Sequence, residues 1–335
     1  MVVRRRSVVV AAGLILAAAG CGSTPASPAS SVLTLVSRTP TPIPVASALP
    51  PSPAPKPAAT ATGSPEPTLP ATGGGASASV PEPFDYDTFA NPTRIDNEWF
   101  PLKPGNQLQL EGKANVDGER ISRKVVITVT DLTKVIDGVR TVVVYEVDYT
   151  GGVVEEIELS FFAQDDEGTV WHMGEYPEEW EDGKFVKAPT WISGIADARA
   201  GIAMKAHPAM DTPSYAQGWG PAVGWTDRAR VLEADSKTCV PAGCFNAVLV
   251  TDEFNRDEPD THQLKYYAPG IGNVRVGWAG AREEEQEVLQ LARFRRLGAN
   301  LLAQVRDKAL TLDKHGYRVS KDVYAKTPPI EVPSI

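Results

Sequence analysis

Four histidines, three cysteines and several clusters of carboxylates are the residues of this chain whose types could do chemistry. The histidines are His172, His207, His262 and His315, and none stands in a His-Glu-x-x-His motif. That motif places two imidazoles on one helical face, where they can share a zinc ion. No Gly-x-Ser-x-Gly elbow and no phosphate-cradling Gly-Lys-Ser/Thr loop occurs either. Nucleophilic catalysis therefore has no support, and no catalytic residue, metal or cofactor is expected. The carboxylates gather at Asp165-Asp166-Glu167, at Glu175 with Glu178, Glu179, Glu181 and Asp182, at Asp252-Glu253 with Asp257-Glu258, and at Glu283–Glu285. A pair of these could serve glycoside hydrolysis. Turns and strand edges are also where charge keeps a sheet soluble and unpaired. No loop has the alternating Asp-x-Asp-x-Asp-Gly spacing of a calcium site.

The cysteines divide by position. Residues 1–20 carry a basic stretch (Arg4-Arg5-Arg6), an apolar run from Val8 to Ala19 and a small-residue zone that ends at Cys21. The run is too short to span a bilayer, which takes ~20 residues as a helix. It reads as an export signal. The Cys after Ala18-Ala19-Gly20 resembles the lipobox of bacterial lipoproteins, although Ala18 stands where Leu is usual. That resemblance implies lipidation of Cys21 and a membrane anchor without a transmembrane helix. The other two, Cys239 and Cys244, flank Val240-Pro241-Ala242-Gly243, a tight-turn sequence. Outside the cytoplasm such a pair defaults to a local disulfide.

The elements that must position these groups fall into three parts. After the signal, residues 21–80 hold the lipidated Cys and a Pro/Ala/Ser/Thr tract. Thirteen of the 29 prolines lie in residues 22–80, which contain no Phe, Tyr or Trp. This composition is expected to form a disordered tether, locally polyproline II. Residues 81–335 have the composition of a globular domain. The whole chain has 335 residues and a net charge of −9, yet five of its basic residues and only one acidic residue (Glu66) precede Pro81. The domain is thus more acidic than the chain, which argues against a nucleic-acid partner.

Within the domain, turn signals recur at Asp117-Gly118, Asp137-Gly138, Gly151-Gly152, Asp166-Glu167-Gly168 and Asp182-Gly183. Such pairs supply the positive φ of tight hairpins. Between them, residues alternate. Val143, Tyr145, Val147 and Tyr149 share one face against Glu146 and Asp148, and Ile157, Leu159 and Phe161 alternate with Glu156, Glu158 and Ser160. Period-2 alternation predicts one buried and one wet face. At least five antiparallel strands are expected from about Gln107 to Tyr176, and more from Ala229 to Phe294. The fold class is mainly β, a long curled antiparallel sheet forming a half-barrel or open barrel. A C-terminal helix is expected from about residue 298, with Leu301, Leu302, Val305, Ala309 and Leu312 on one face and Gly316 as its stop.

The pattern breaks between Ala188 and Asp227, an irregular stretch rich in Trp and Met, and long irregular segments are often functional. If it covers one side of the sheet over an apolar ligand, the lining comes from Trp191, Ile192, Ile202, Met204, Met210 and Trp219.

Three phrases resemble a group of uncharacterised bacterial secreted and lipid-anchored β-rich proteins. They are Asn91-Pro92 with Trp99-Phe100-Pro101-Leu102-Lys103-Pro104-Gly105, Ala163-Gln164-Asp165-Asp166-Glu167-Gly168-Thr169-Val170-Trp171, and Tyr266-Tyr267-Ala268-Pro269-Gly270-Ile271-Gly272-Asn273-Val274. The resemblance covers most of residues 90–290. It implies a β-rich fold and an export address but no activity.

These readings converge on a non-catalytic binding or interaction module, lipid-anchored on the extracytoplasmic face of the cell membrane, with an apolar small molecule or lipid as its ligand. The competing reading is a cell-wall glycan binder or hydrolase that uses the clustered carboxylates and some of the seven Trp.

Overall fold

Tight turns set the architecture of this computed structural model, which describes residues 81–332. Asp117, Asp137 and Asp182 take left-handed φ of 51°, 49° and 49°, each followed by a Gly at positive φ. That geometry matches the twist of flanking strands and folds each one back on its neighbour. The strands so joined are β1 (Asn106–Val116), β2 (Glu119–Ile136), β3 (Val139–Thr150), β4 (Val153–Gln164), β5 (Val170–Glu181) and β6 (Lys184–Lys187). The five-strand expectation for this half is met.

The irregular stretch contributes β7 (Trp191–Ile192), β8 (Gly201–Met204) and β9 (Tyr215–Ala216). Both β7 and β8 pair with β5. The chain then runs through β10 (Arg228–Val240), β11 (Gly243–Phe254), β12 (His262–Ala268), β13 (Gly272–Ala279) and β14 (Val288–Arg296). Because β14 pairs with β1, the two meanders join into one 14-stranded antiparallel sheet ordered β6-β5-β4-β3-β2-β1-β14-β13-β12-β11-β10-β9. The sheet curls without closing into a barrel.

One chain of ladder partners defines the inner face. Leu110 lies opposite Val125, Val125 opposite Asp148, Asp148 opposite Glu156, and Val144 opposite Ser160, which faces Glu175. Leu108, Leu110, Val125, Ile127, Val144 and Phe162 form part of the core on this side. Strands β2 to β5 direct Leu132, Val143, Tyr145, Leu159, Phe161 and Tyr176 to the outer face, where helix α1 (Ala299–Val319) covers them with Ala309 and Leu312. No helix among the described residues is long and apolar enough to cross a membrane.

Two expectations are corrected. Gly316 does not stop the helix, which continues to Val319. It instead lets α1 pack closely on its neighbours: a Cβ there would lie 2.6 Å from the Tyr324 ring and 3.1 Å from that of Tyr176. Nor is the acidic face of β3 and β4 wet. Glu146, Asp148, Glu156, Glu158 and Ser160 are all buried. Alternation assigns residues to faces without saying what covers them, and here both faces are buried.

Candidate functional site

The polar half of the inner face is built by two hairpins. Gly151 and Gly152, at φ 60° and 85°, close β3 onto β4 in a register that sets Glu146 opposite Glu158 and Asp148 opposite Glu156. On β5 a bulge re-aims the chain, so that Glu175 faces Ser160 and His172 faces Phe162. Gly174 sits in that bulge at φ 143°, and a Cβ there would come within 2.7 Å of the Trp191 carbonyl oxygen. Only a glycine lets β7 lie this close to β5. The close approach brings Trp191 over His172, with ring centroids 4.8 Å apart, and Trp225 stacks on Trp191 at 6.2 Å.

The facing limb contributes Glu253, Lys265 and Glu287. Lys265 Nζ lies 2.6 Å from Glu253, and Arg123 on β2 reaches Glu287 at 3.1 Å, Glu155 at 2.5 Å and Asp148 at 3.9 Å. These cations answer part of the negative charge. Asp148 Oδ1, Glu158 Oε2, Glu175 Oε2, both ring nitrogens of His172, and the indole nitrogens of Trp191 and Trp225 are buried without a hydrogen-bond partner. Buried polar groups are normally satisfied, and each exception carries a desolvation cost of about 1–3 kcal/mol.

Electrostatics follow from this crowding. Burial, then the Glu156 carboxylate, pushes Glu175 up to about 8. Burial and the neighbouring Glu175 and Glu146 raise Glu158 well above the carboxylate range. Burial, Glu146 and Glu156 do the same to Asp148 against the pull of Arg123. Burial drives His172 down to about 3, so its imidazole is neutral at physiological pH. Its Nε2 lies 3.6 Å from Glu175. Such a surface can accept hydrogen bonds from a cation or trade protons with a ligand. No group of three His, Cys, Asp or Glu among the described residues is arranged to hold a metal ion.

Most residues singled out in the sequence are placed elsewhere. Cys21 lies outside the described residues. Cys239 and Cys244 face each other across the β10–β11 hairpin and form the disulfide. Trp191 joins the inner polar site through His172. Met204 packs into the inner core, whereas Ile192 and Ile202 belong to the outer core. Met210 is 63% exposed, and Trp219 is half-buried with its backbone bonded to Arg199.

Of the acidic clusters, Glu175 and Glu253 reach the inner face. Asp165 accepts the Trp171 indole N–H at 2.8 Å, and Asp166 caps the Ala90 amide at 3.1 Å. Asp252 turns outward to Arg230 and His262. Glu178 accepts hydrogen bonds from Tyr176 and His315. Glu146, Asp148, Glu156 and Glu158 are the site residues that sequence reasoning missed, since their alternation read as an ordinary solvated face. The available signal was their number on two adjacent strands, where like charges directly opposite are unfavourable.

A cavity of about 490 Å³ opens on the outer face between α1 and strands β3 to β5. Tyr145, Ile157, Trp180 and Leu312 give it apolar walls, and Lys308, His315 and Arg318 also line it.

Comparison with known proteins gives little beyond this geometry. No family model matches the chain. No curated protein matches it either. Among solved structures, a "putative exported protein with YmcC-like fold" from Bacteroides fragilis aligns over 60% of this chain and 100% of its own at 16% identity, with a TM-score of 0.36. A "putative lipoprotein" from Parabacteroides distasonis aligns over 59% of this chain and 99% of its own at 12% identity, with a TM-score of 0.28. Likeness at this level assigns no function.

Proposed function

We propose that the protein is a non-catalytic binding module, lipid-anchored through Cys21 on the extracytoplasmic face of the membrane, that takes a polar ligand on the inner face of its open sheet. One observation carries the reading: Asp148, Glu158, His172 and Glu175, on adjacent strands of this face, each hold a buried polar atom without a hydrogen-bond partner. An interior kept only for stability would satisfy these groups or replace them with apolar ones. A ligand that supplies the missing partners recovers the desolvation cost.

The export signal, the lipobox-like Ala18-Ala19-Gly20-Cys21 and the proline-rich tether support the address. Cys21→Ala is expected to move the protein from the membrane fraction to the medium; unchanged retention would refute the anchor. For the binding role, native mass spectrometry of full-length protein from its host should show an adduct that Glu158→Gln removes. An apo mass for freshly isolated protein and for protein exposed to host extract would sink the reading.

A second reading rests on the outer cavity. Its volume falls in the ~300–1,000 Å³ range of small-molecule sites, and apolar walls beside Lys308, His315 and Arg318 suit an amphiphile with an anionic head. An adduct of lipid mass that Trp180→Ala removes and Glu158→Gln leaves in place would favour it.

A further inference from the structure

We propose that the outer cavity takes one unbranched fatty acid, with its chain against Tyr145, Ile157, Trp180 and Leu312 and its carboxylate on Arg318. This rests on the outer cavity being a ligand site, and it names the ligand and the way it lies. The site is separate from the carboxylates of the inner face.

The cavity follows from how α1 is seated. The buried residues of the helix are Ala309, Leu312, Asp313 and Gly316. Asp313 is tied to Lys134 of β2, and Gly316 lets the helix lie against Tyr324 and Tyr176. The adjoining flank carries Lys308, Thr311, His315 and Arg318, spaced three and four residues apart and so on one side. That flank does not fill the space over β3 to β5, and about 490 Å³ stays open between it and Tyr145, Ile157 and Trp180. A volume in the lower half of the ~300–1,000 Å³ range suits a single chain rather than the paired chains of a phospholipid.

Trp180 sets the polarity of the occupant. It lines the cavity, and its indole N–H is buried without a hydrogen-bond partner. Phe185 holds the ring in place, edge to face at 6.1 Å, and packs in the same way on His315 at 5.3 Å. An indole nitrogen only donates. An occupant that recovers its desolvation must therefore offer an acceptor oxygen, which a hydrocarbon or an ammonium group does not.

The charges choose among oxygens. Glu178, Asp307, Lys308 and Arg318 all line the cavity. The ion pairs of α1 among the described residues are Arg306–Asp131, Asp313–Lys134 and His315–Glu178, which leaves Lys308 and Arg318 unpaired. Asp307 stands next to Lys308 and offsets it at one end. Arg318 lies ten residues further on, ~15 Å along the helix. At that end Glu178 already accepts hydrogen bonds from Tyr176 and His315. Arg318 is thus the cation left for an anionic head, and its planar fork matches a carboxylate in two parallel bonds.

The test is calorimetric titration of the Cys21→Ala chain, which carries no lipid and needs no detergent. Laurate, dodecanol and dodecyltrimethylammonium serve as separate probes below their micelle-forming concentrations. Laurate should saturate one site per chain, dodecanol should bind about tenfold more weakly, and the cationic amphiphile should not bind. Arg318 is exposed, so Arg318→Gln should fold; it should bring laurate down to the level of dodecanol and leave dodecanol unchanged. Trp180→Phe keeps a ring and removes the N–H, and should weaken both probes severalfold. A cation in the last turn of a helix also offsets its dipole. If that were the whole role of Arg318, the Gln variant would lose stability and bind laurate as before, which would overturn the proposal. Dodecanol binding as tightly as laurate, with Trp180→Phe weakening both, would overturn the fatty acid while leaving the cavity as a ligand site. Binding of none of the probes, together with no lipid adduct on the protein from its host, would overturn both.

Discussion

Glu146 and Glu158 stand directly opposite each other across the β3–β4 hairpin, both pointing into the curl of the sheet. They are 3% and 1% exposed, so neither can relieve the repulsion by turning to water. Folding alone would not select such a pair. It is tolerated where a ligand, a proton or a positive neighbour shares the site.

Glu158→Gln should therefore stabilise the unliganded protein. Burial and the neighbouring carboxyls favour the protonated form of Glu158, so the gain should appear at alkaline pH as that proton is lost. There, removing one of two opposed charges contributes about 0.5–1 kcal/mol, a rise of roughly 1–4 °C in melting temperature for a domain of this size. Thermal unfolding of the two proteins side by side measures this. A fall in melting temperature would mean that the carboxylate makes a net stabilising contact.

Glu175 and His172 predict a bell-shaped dependence of stability on pH. Glu175, hemmed in by burial, Glu156, Asp227 and Glu146, titrates at about 8 in the folded state. A carboxyl raised above its unfolded value of ~4.3 holds its proton longer when folded, so its contribution is full below pH ~4.3 and is lost as pH rises towards 8. His172 has the opposite sign. Its folded value near 3 lies below the unfolded ~6.5, so stability is lost as pH falls from about 6.5 towards 3. The melting temperature should peak between about pH 5 and 6.5. Glu175→Gln should flatten the alkaline limb and leave the acid limb in place; an unchanged alkaline limb would show that another group controls it.

The C-terminal segment is fastened to the sheet by one buried cation. Lys134 on β2 donates to Asp313 of α1 at 3.0 Å, to the Tyr317 hydroxyl at 3.0 Å and to the Pro328 carbonyl at 2.7 Å. Burial pushes the lysine down while Asp313 pulls it back up. Asp313→Asn strands a buried charge and should cost about 3–5 kcal/mol. Adding Lys134→Met should recover part of that loss, because the stranded charge is then gone. Denaturant unfolding of the single and double variants reads both effects; equal losses would place the cost in Asp313 packing rather than in the ion pair.

Gly316→Ala tests how tightly α1 is seated. On an exposed helix this change stabilises by about 1 kcal/mol through propensity. Here the new methyl meets the Tyr324 and Tyr176 rings, both fully buried. Overpacking of this kind costs about 1–3 kcal/mol, so the net effect should be destabilising in urea unfolding. A stabilised variant would show that α1 can shift off Tyr324.

What the sequence disclosed and what it withheld divide along one physical line. Asp-Gly and Gly-Gly pairs marked the hairpins because their backbone demand is local: Asp117-Gly118, Asp137-Gly138, Gly151-Gly152 and Asp182-Gly183 all adopt the positive φ that the turns require. Ladder register followed from those turns. The candidate site did not, because alternation sorts Glu146 and Glu158 from Val143 and Leu159 without saying what covers either face. That depends on the β1–β14 pairing, between strands whose first residues are some 180 positions apart. Gly316 misled for the same reason, since its role is set by Tyr324 and Tyr176 rather than by its own turn of helix. Trp191 drew notice by composition, but its place over His172 depends on the non-local β5–β7 pairing.

The disulfide closes the β10–β11 hairpin, where strand pairing already holds its two ends together. Cys239 and Cys244 are ladder partners five residues apart in sequence, and the turn between them is pinned by the Ala242 amide donating to the Leu291 carbonyl oxygen at 3.0 Å on β14. Cross-linking so short a loop removes little freedom from the unfolded chain, about 2 kcal/mol by the loop-entropy relation. Reduction, or Cys239→Ala with Cys244→Ala, should lower the melting temperature by roughly 4–8 °C with the sheet intact by circular dichroism. The inner carboxylates lie on other strands, so binding at the candidate site should survive. Loss of folding on reduction would mean that the hairpin depends on the disulfide to cover the β12–β14 face, and that its weight in this fold exceeds its loop length.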